Sequence, residues 1–321
     1  MLPCRQLVVL SALLAMMIPA TAGEWPERPV KIIYPYAAGS TGDATARLIA
    51  RRLGEKLGQP FIVENRLGAN GVIATEAVAR AAPDGYTLLW AITPQIAISP
   101  VMAKVRYDPV TDFVPISAVS LNKFALVVNA KVPAKTVGEF IAYVRAQPHG
   151  LTYAEGGTGS ISHLAMVLFL NRLGLKGTNV SYKGNELALT DVIGGHLPAM
   201  FALLGDALSQ TDSGTIRMLA VSSAQRSALA PDVPTLAESG FPGFDATSWW
   251  GLMGPAKMPM RIVERIALEV TQAISDPKIV EQLTRFGIDP VGNTPTQFSA
   301  MISADIKLWS EAVRLAGLQQ N

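Results

Sequence analysis

Residues 34–53 read YPYAAGSTGDATARLIARRL. An apolar run, Val30 to Tyr34, ends in a loop of small residues. That loop leads straight into a helical pattern, Thr41 to Leu57, with Ala46, Ile49, Ala50, Leu53 and Leu57 on one face. A strand passing through a short glycine-containing turn into a helix is the opening unit of an α/β fold. The rhythm continues outward. A short strand at Phe61 to Glu64, a helix from Val72 stopped by Pro83-Asp84-Gly85, and a strand at Thr87 to Ile92 predict a largely parallel sheet.

A second unit starts near FALVVNAKVP, Phe124 to Pro133. It holds a helix at Thr136 to Gln147, a strand at Leu151 to Ala154, a helix from Ser160, and strands at Asn179 to Tyr182, Ala199 to Leu203 and Arg217 to Ser222. The stretch TSWWGLMGP, Thr247 to Pro255, then returns the chain to the first unit. Two amphipathic helices, roughly Arg261 to Ser275 and Thr296 to Ala316, close it. The expected organisation is two α/β lobes, residues 23–123 with 249–321 and residues 124–248, each a mostly parallel sheet flanked by helices, with a cleft between them. Clefts at such interfaces commonly hold ligands.

Composition narrows the function. Of 321 residues 49% are apolar and 16% charged, with a formal net charge of +2, so the chain is globular and lacks the basic footprint of a nucleic-acid binder. Arg5, the apolar run Leu7 to Ile18, Pro19 and the A-x-A pattern Ala20-Thr21-Ala22 predict a signal peptide cleaved after Ala22 and export to the periplasm. The apolar run is well short of the ~20 residues that span a bilayer. The sole cysteine, Cys4, lies in this segment, so the processed chain has no thiol for a disulfide, metal or nucleophile.

Two loops carry the candidate chemistry. In YAAGSTGD, Tyr36 to Asp43, Ser40 with Asp43 three residues on resembles a capping box at a helix start. A helix N-terminus offers unpaired N–H groups and a partial positive charge that attract a carboxylate or phosphate. From this loop alone the commoner reading is an ordinary turn with Asp43 as cap. EGGTGSISHLA, Glu155 to Ala165, repeats the design in the other unit, with Ser160 as N-cap and His163 in the first helical turn. His163 reads equally as a ligand contact or as packing over the loop. One such loop per lobe could donate N–H groups to a single anion. Asp206 is a further candidate contact or helix N-cap. Of Trp249 and Trp250, one could line the cleft while the other is core, and Tyr182 to Gly184 reads as cleft wall or surface turn.

Enzyme signatures are weak. There is no phosphate loop, dinucleotide fingerprint or hydrolase elbow, and the three histidines (149, 163 and 196) lack metal-ligand spacing, so no cofactor or metal is expected. A rival reading makes Ser160 and His163 the nucleophile and base of a secreted hydrolase. Another makes the chain a ligand-sensing partner of a signalling system.

The quoted motifs, together with VENRLGANGVIATEAVARAAPDGYTLL, YDPVTDFVPIS, VSYKG, RMLAVSS, APDVPTLAESGFPGF and SWWGLMGPAKMP, resemble the Bug-type periplasmic receptors of tripartite tricarboxylate transporters in order and over nearly the whole chain. The resemblance implies a type II periplasmic-binding-protein fold and a small organic mono- or dicarboxylate as ligand. It further implies membrane transporter subunits as partners, a monomeric chain and no catalysis. Carried over, the gripping loops are Tyr36, Ala37, Ala38, Gly39, Ser40, Thr41 and Asp43 in the first, and Gly157, Thr158, Gly159, Ser160 and His163 in the second. The chain departs from the family pattern at Ser40-Thr41, where Gly-Pro is frequent, and at Leu67 and Asn70, which replace a common Pro and Gly. Ala202 stands where an acidic or amide residue is often found, which disfavours an amino-acid ligand with a free ammonium.

Overall fold

A computed structural model of the protein describes residues 24–211, 213–285 and 287–320. The signal-peptide segment, its cleavage point and Cys4 lie outside the described residues.

The first sheet is built around β1 (Val30–Tyr34), β2 (Phe61–Asn65), β3 (Thr87–Ile92) and β4 (Phe113–Asn122), joined by β10 (Ser248–Pro255) and β11 (Asp289–Pro290). Its order is β11-β4-β10-β3-β1-β2. Alternation along each strand feeds two cores. Ile32, Trp90 and Leu252 face α1 (Thr41–Leu57) and α8 (Met260–Ser275) on one side. Ile33, Leu89, Trp249 and Met253 face α2 (Val72–Ala79) and α10 (Pro295–Leu315) on the other. The face expected of α1 is the buried one.

The second sheet has the order β8-β5-β9, from β5 (Phe124–Asn129), β8 (Ala199–Leu203) and β9 (Ile216–Val221), with β6 (Leu151–Glu155) and β7 (Gly177–Ser181) as a separate parallel pair. Leu126, Val128 and Phe201 pack on α4 (Val137–Arg145) and α5 (Ile161–Arg172). Ala125, Val127 and Met200 pack on α6 (Asn185–Gly194) and α7 (Leu204–Thr211). The described helices are completed by α3 (Ser99–Met102), which continues a π-helical turn at Pro94–Ile98, and α9 (Pro277–Arg285).

The α/β class is as expected, but neither sheet is mostly parallel. Pairings β1–β2 and β1–β3 are parallel, whereas β10 is antiparallel to both β3 and β4, and β11 to β4. The returning strand β10 is wedged between β3 and β4, so it opposes strands that otherwise run the same way. In the second sheet β5 opposes both neighbours.

The chain passes from β4 to β5 through Lys123 alone, and returns along residues 245–248. Lys123 is held there by an ion pair to Asp289 at 3.1 Å. The last helix, α10, packs Phe298 and Ile302 into a core of the first sheet and Trp309, Ala312 and Val313 into a core of the second. Its tail is thereby a third link between the two sheets.

Candidate functional site

Both glycine-rich turns are strand-to-helix junctions capped by serine. In the first, Ser40 Oγ accepts from the Asp43 N–H at 3.2 Å and shares a hydrogen bond with the Tyr34 hydroxyl at 2.9 Å. Asp43 does not return the bond to the Ser40 N–H, as a capping box would. Its carboxylate accepts instead from the Gly39 N–H (3.1 Å), Arg47 Nε (2.9 Å) and Asn65 Nδ2 (2.8 Å). Burial pushes the Asp43 carboxyl up, but the Arg47, Asn65 and Gly39 donors outweigh it and hold it below the usual range. Asp43 is 3% exposed and turned into the loop. An acceptor-only group so engaged shapes the turn and has no donor to offer a carboxylate. Residues 37–41 are exposed, and Gly39 takes φ 88°.

In the second turn, Ser160 Oγ accepts from the His163 N–H at 3.2 Å. The turn also consumes much of its own donor set. Gly156 N–H donates to Ser162 Oγ (2.9 Å), Gly157 N–H to the buried Glu155 carboxylate, Gly159 N–H to His163 Nδ1 (3.1 Å) and Ser160 N–H to Gly157 O (2.8 Å). Among the described residues, the donors left without an acceptor at this turn are the N–H groups of Thr158 and of Ile161 and Ser162, the first two helical residues.

His163 is 5% exposed and sits behind the turn against Tyr153. Burial lowers its pKa, with the Glu155 charge opposing, so the imidazole is neutral and its Nδ1 lone pair receives the Gly159 N–H. It braces the loop from within. The hydrogen bond a Ser160–His163 nucleophile and base would need is not formed, since Ser160 Oγ is engaged by the His163 backbone and by Ser162 Oγ at 3.0 Å.

A cavity of about 560 Å³ opens over this turn. One wall is Gly156 to Ile161 and Leu203; the facing wall brings Asn70, Pro94 and Trp250 from the first-sheet side. Asn122, Phe124 and Ser248 form the floor where the chain crosses between the sheets. The volume falls in the usual range for small-molecule sites. No lining residue carries a charge. Residues 36–43 border this cavity without lining it. The Tyr36 hydroxyl donates to Asn70 Oδ1 at 3.2 Å, and a Cβ on Gly42 would lie 3.5 Å from the Trp250 ring and 2.5 Å from the Tyr34 hydroxyl.

Trp249 and Trp250 divide as strand alternation dictates: Trp249 is fully buried, its indole N–H donating to Asp305 at 2.6 Å, and Trp250 lines the cavity. Tyr182 to Gly184 turns beside Gly157 and delivers Asn185 to the cavity, while the Tyr182 hydroxyl donates to Asp191. Asp206 lies in the first turn of α7, as its third residue rather than its N-cap, and is not a lining residue. Ala202 faces the opposite way from Phe201 and Leu203, packed in a core with Ala125 and Met200. A polar residue there would not reach the cavity, so its replacement by alanine says nothing about an ammonium-bearing ligand. Sequence reasoning missed Asn70 as a cavity residue, and also Pro94, Asn122 and Asn185. Asn70 alone left a signal, as an asparagine at a position where glycine is common, and it holds the glycine-like φ of 51°.

The comparisons agree with this geometry. A family model described as "Tripartite tricarboxylate transporter family receptor" matches residues 45–318. Protein BugT of Bordetella pertussis is 36% identical over 301 residues, covering 93% of this chain and 92% of its own length. Among solved structures, R. palustris Rpa4515 with adipate superposes with TM-score 0.77 at 33% identity, over 92% of this chain and 99% of that one. MatC from Rhodopseudomonas palustris with bound malate gives 0.73 at 30% identity, over 90% and 100%. A ligand-free TctC solute binding protein from Polaromonas gives 0.82 at 27% identity, over 90% and 99%. With a cavity of this kind between its sheets and these relatives along its length, the chain belongs to the receptor family of the tripartite tricarboxylate transporters.

Proposed function

We propose that the protein is an exported, non-catalytic receptor that captures a small organic carboxylate and delivers it to membrane transporter subunits. The observation that carries this reading is the cavity itself. A helix N-terminus with unpaired N–H groups at Thr158 and Ile161 forms one wall, and a tryptophan and a strained asparagine turn form the other. Micromolar affinity needs about 8 kcal/mol. Hydrogen bonds to a carboxylate in a partly dry site, with apolar contact from Phe124, Leu203 and Trp250, are sufficient.

In this reading the two units are residues 23–123 with 249–321 and residues 124–248, joined at Lys123 and near Ser248, with α10 as a strap across them. Residues 36–41, exposed from Ala37 onward and with φ-permissive Gly39, swing toward the second turn when the units close on an anion. The chain acts as a monomer, and its N-terminal segment is removed after Ala22 on export. The relatives solved with adipate and malate support a carboxylate as the cargo.

The test is purification of the processed chain followed by native mass spectrometry, and thermal unfolding with a panel of mono- and dicarboxylates. A co-purified small acid, or a midpoint that rises with one class of carboxylate at one-to-one stoichiometry, is the expected result. Turnover of an ester panel abolished by Ser160→Ala, with no carboxylate binding, would replace the receptor by a hydrolase.

A further inference from the structure

Behind the second turn lies a separate pocket of about 260 Å³, between α5, the β6–β7 pair and the end of α10. It shares no lining residue with the cavity over the turn. Two buried side chains form its floor, His163 (5% exposed) and Tyr153 (3% exposed), with ring centroids 6.3 Å apart. Neither His163 Nε2 nor the Tyr153 hydroxyl has a hydrogen-bond partner among the described residues, and neither atom is sealed from solvent. Because Nδ1 of the neutral ring receives the Gly159 N–H, the imidazole proton sits on Nε2 and is offered to the pocket. The exposed residues Asn171 and Asn179 stand at the rim, and Asn179 gives its Nδ2 to Glu155 while its Oδ1 has no donor among the described residues. Polar groups as buried as His163 and Tyr153 are seldom left without a partner.

We propose that this pocket is a second binding site, one that takes a small neutral polyol. A hydroxyl both donates and accepts, which suits a fixed donor at His163, a Tyr153 hydroxyl that acts either way, and amides at the rim. Val167 and Leu170 give the carbon skeleton an apolar wall, while a wholly apolar molecule would leave the floor unsatisfied. Charged molecules fit less well. No lining residue bears a charge, so an ion would lose water with nothing to pair with. An anion would also stand near Glu155, whose charge acts on both His163 and Tyr153. A cation would meet the His163 Nε2–H, a donor it cannot use. The site is linked to the turn in front of it. The ring that offers Nε2 to the pocket holds the Gly159 N–H through its other nitrogen, and a hydrogen bond accepted from Nε2–H makes Nδ1 the stronger acceptor. Filling the pocket is therefore registered at Gly159.

The test follows the Gly159 amide by nuclear magnetic resonance in protein carrying isotope-labelled glycine, the signal being assigned by its loss in Gly159→Ala. Glycerol, xylitol, myo-inositol and glucose are titrated in turn. At least one of them shifts the signal saturably, with a Kd of about a millimolar or tighter. Glucuronate and glucosamine, which place a negative or a positive charge on the glucose skeleton, bind the pocket at least about fivefold more weakly than the tightest polyol. Val167→Phe, one helical turn beyond His163, fills the pocket and weakens the polyol at least about tenfold. Tyr153→Phe removes only the hydroxyl and weakens it about fivefold. Thermal midpoints show whether each variant is folded, and Tyr153→Phe suffices should Val167→Phe fail to fold. No saturable shift with any of the four polyols means a pocket that holds only water, and overturns the proposal. So does polyol binding that leaves Gly159 unmoved or that both variants leave intact. A charged analogue that binds as tightly as the best polyol, and that either variant weakens, overturns it as well.

Discussion

Gly159 is the residue through which the second turn can be tested most directly. It holds φ +80°, and a Cβ built on it would lie 2.4 Å from Met102 Sδ and 2.5 Å from Met102 Cε. As part of a candidate anion-gripping turn, a side chain at Gly159 would be expected to intrude on a bound anion. The structure directs it toward Met102 on α3, so Gly159→Ala and Gly159→Val act through the turn's conformation. Placing alanine in the left-handed region costs roughly 1–2 kcal/mol. Moving the flexible end of Met102 off its rotamer costs roughly 0.5–1.5 kcal/mol more. Loss of glycine's freedom in the unfolded chain offsets about 0.4–1 kcal/mol. The net expectation for Gly159→Ala is a loss of roughly 1–2 kcal/mol in chemical denaturation. Affinity falls as well, by about tenfold, because the Gly159 N–H bond to His163 Nδ1 fixes how Thr158 is presented. Met102→Ala in the same chain should restore only the rotamer part of the stability loss, leaving the conformational part. A Gly159→Ala variant as stable and as tight-binding as the parent would refute the reasoning. Full recovery by Met102→Ala would assign the whole effect to the clash.

Asp43→Asn leaves at least one of the Gly39, Arg47 and Asn65 donors facing an NH2 group, so it should destabilise the fold by roughly 1–3 kcal/mol and weaken carboxylate binding through the first turn. Because the folded Asp43 pKa lies below its unfolded value, its contribution is complete above the ordinary carboxylate range and disappears as pH falls through the depressed value; acid unfolding of the variant should lack that component. Asp305 is the opposite case: burial first, then the nearby Asp245, push it up to about 7 against the Trp249 hydrogen bond. The folded state therefore binds the extra proton between the ordinary range and about pH 7, and stability falls as pH rises across that window, by on the order of 4 kcal/mol at most. Asp305→Asn should flatten this slope in denaturation curves taken from pH 4 to 7.5, and an unchanged slope would show that Asp305 is not its source. Finally, with no charged side chain lining the cavity, carboxylate affinity should change less than about threefold between 50 and 500 mM salt, whereas a steep loss would place a cation in the site.

Much of this was legible in the sequence, and what was not has physical causes. The α1 face, both serine caps and the split between Trp249 and Trp250 follow from period and alternation, which local sequence encodes directly. Strand β4 was hidden. Pro115 interrupts it, and Ser117, Ser120 and Asn122 are buried on it although polar. The structure tolerates the proline because a register shift against β10 falls beside it, between the Leu252 and Met253 pairings. Asn122 and Asn185 were unreadable as cavity residues for a different reason. They lie 63 positions apart, and only the crossing at Lys123 and the turn at Tyr182 to Gly184 bring them to one space. Asp43 and His163 were found at the right places but facing inward, because a sequence gives the position of a side chain in a turn and not which N–H it will take.

In the receptor reading, that inward orientation explains how acidic residues can serve an anion site. Asp43 and Glu155 stand behind the two turns, each accepting an N–H from the glycine-rich backbone in front of it. A free carboxylate in either place would repel a bound acid by roughly 1–4 kcal/mol at a few ångströms, depending on how much solvent intervenes. Here Asp43 is paired with Arg47 at 2.9 Å, and Glu155 accepts from Asn179 at 3.1 Å. Each therefore spends its acceptors on the turn, engaging one set of amides and leaving the other N–H groups without an acceptor there. If the two acids set this geometry, Asn179→Ala should act on ligand affinity even though Asn179 does not line the cavity, because it releases Glu155 from one of its two partners. Calorimetry on a folded Asn179→Ala variant should then show a loss of several-fold, and a parent-like affinity would mean that the turn holds its shape without the acid behind it.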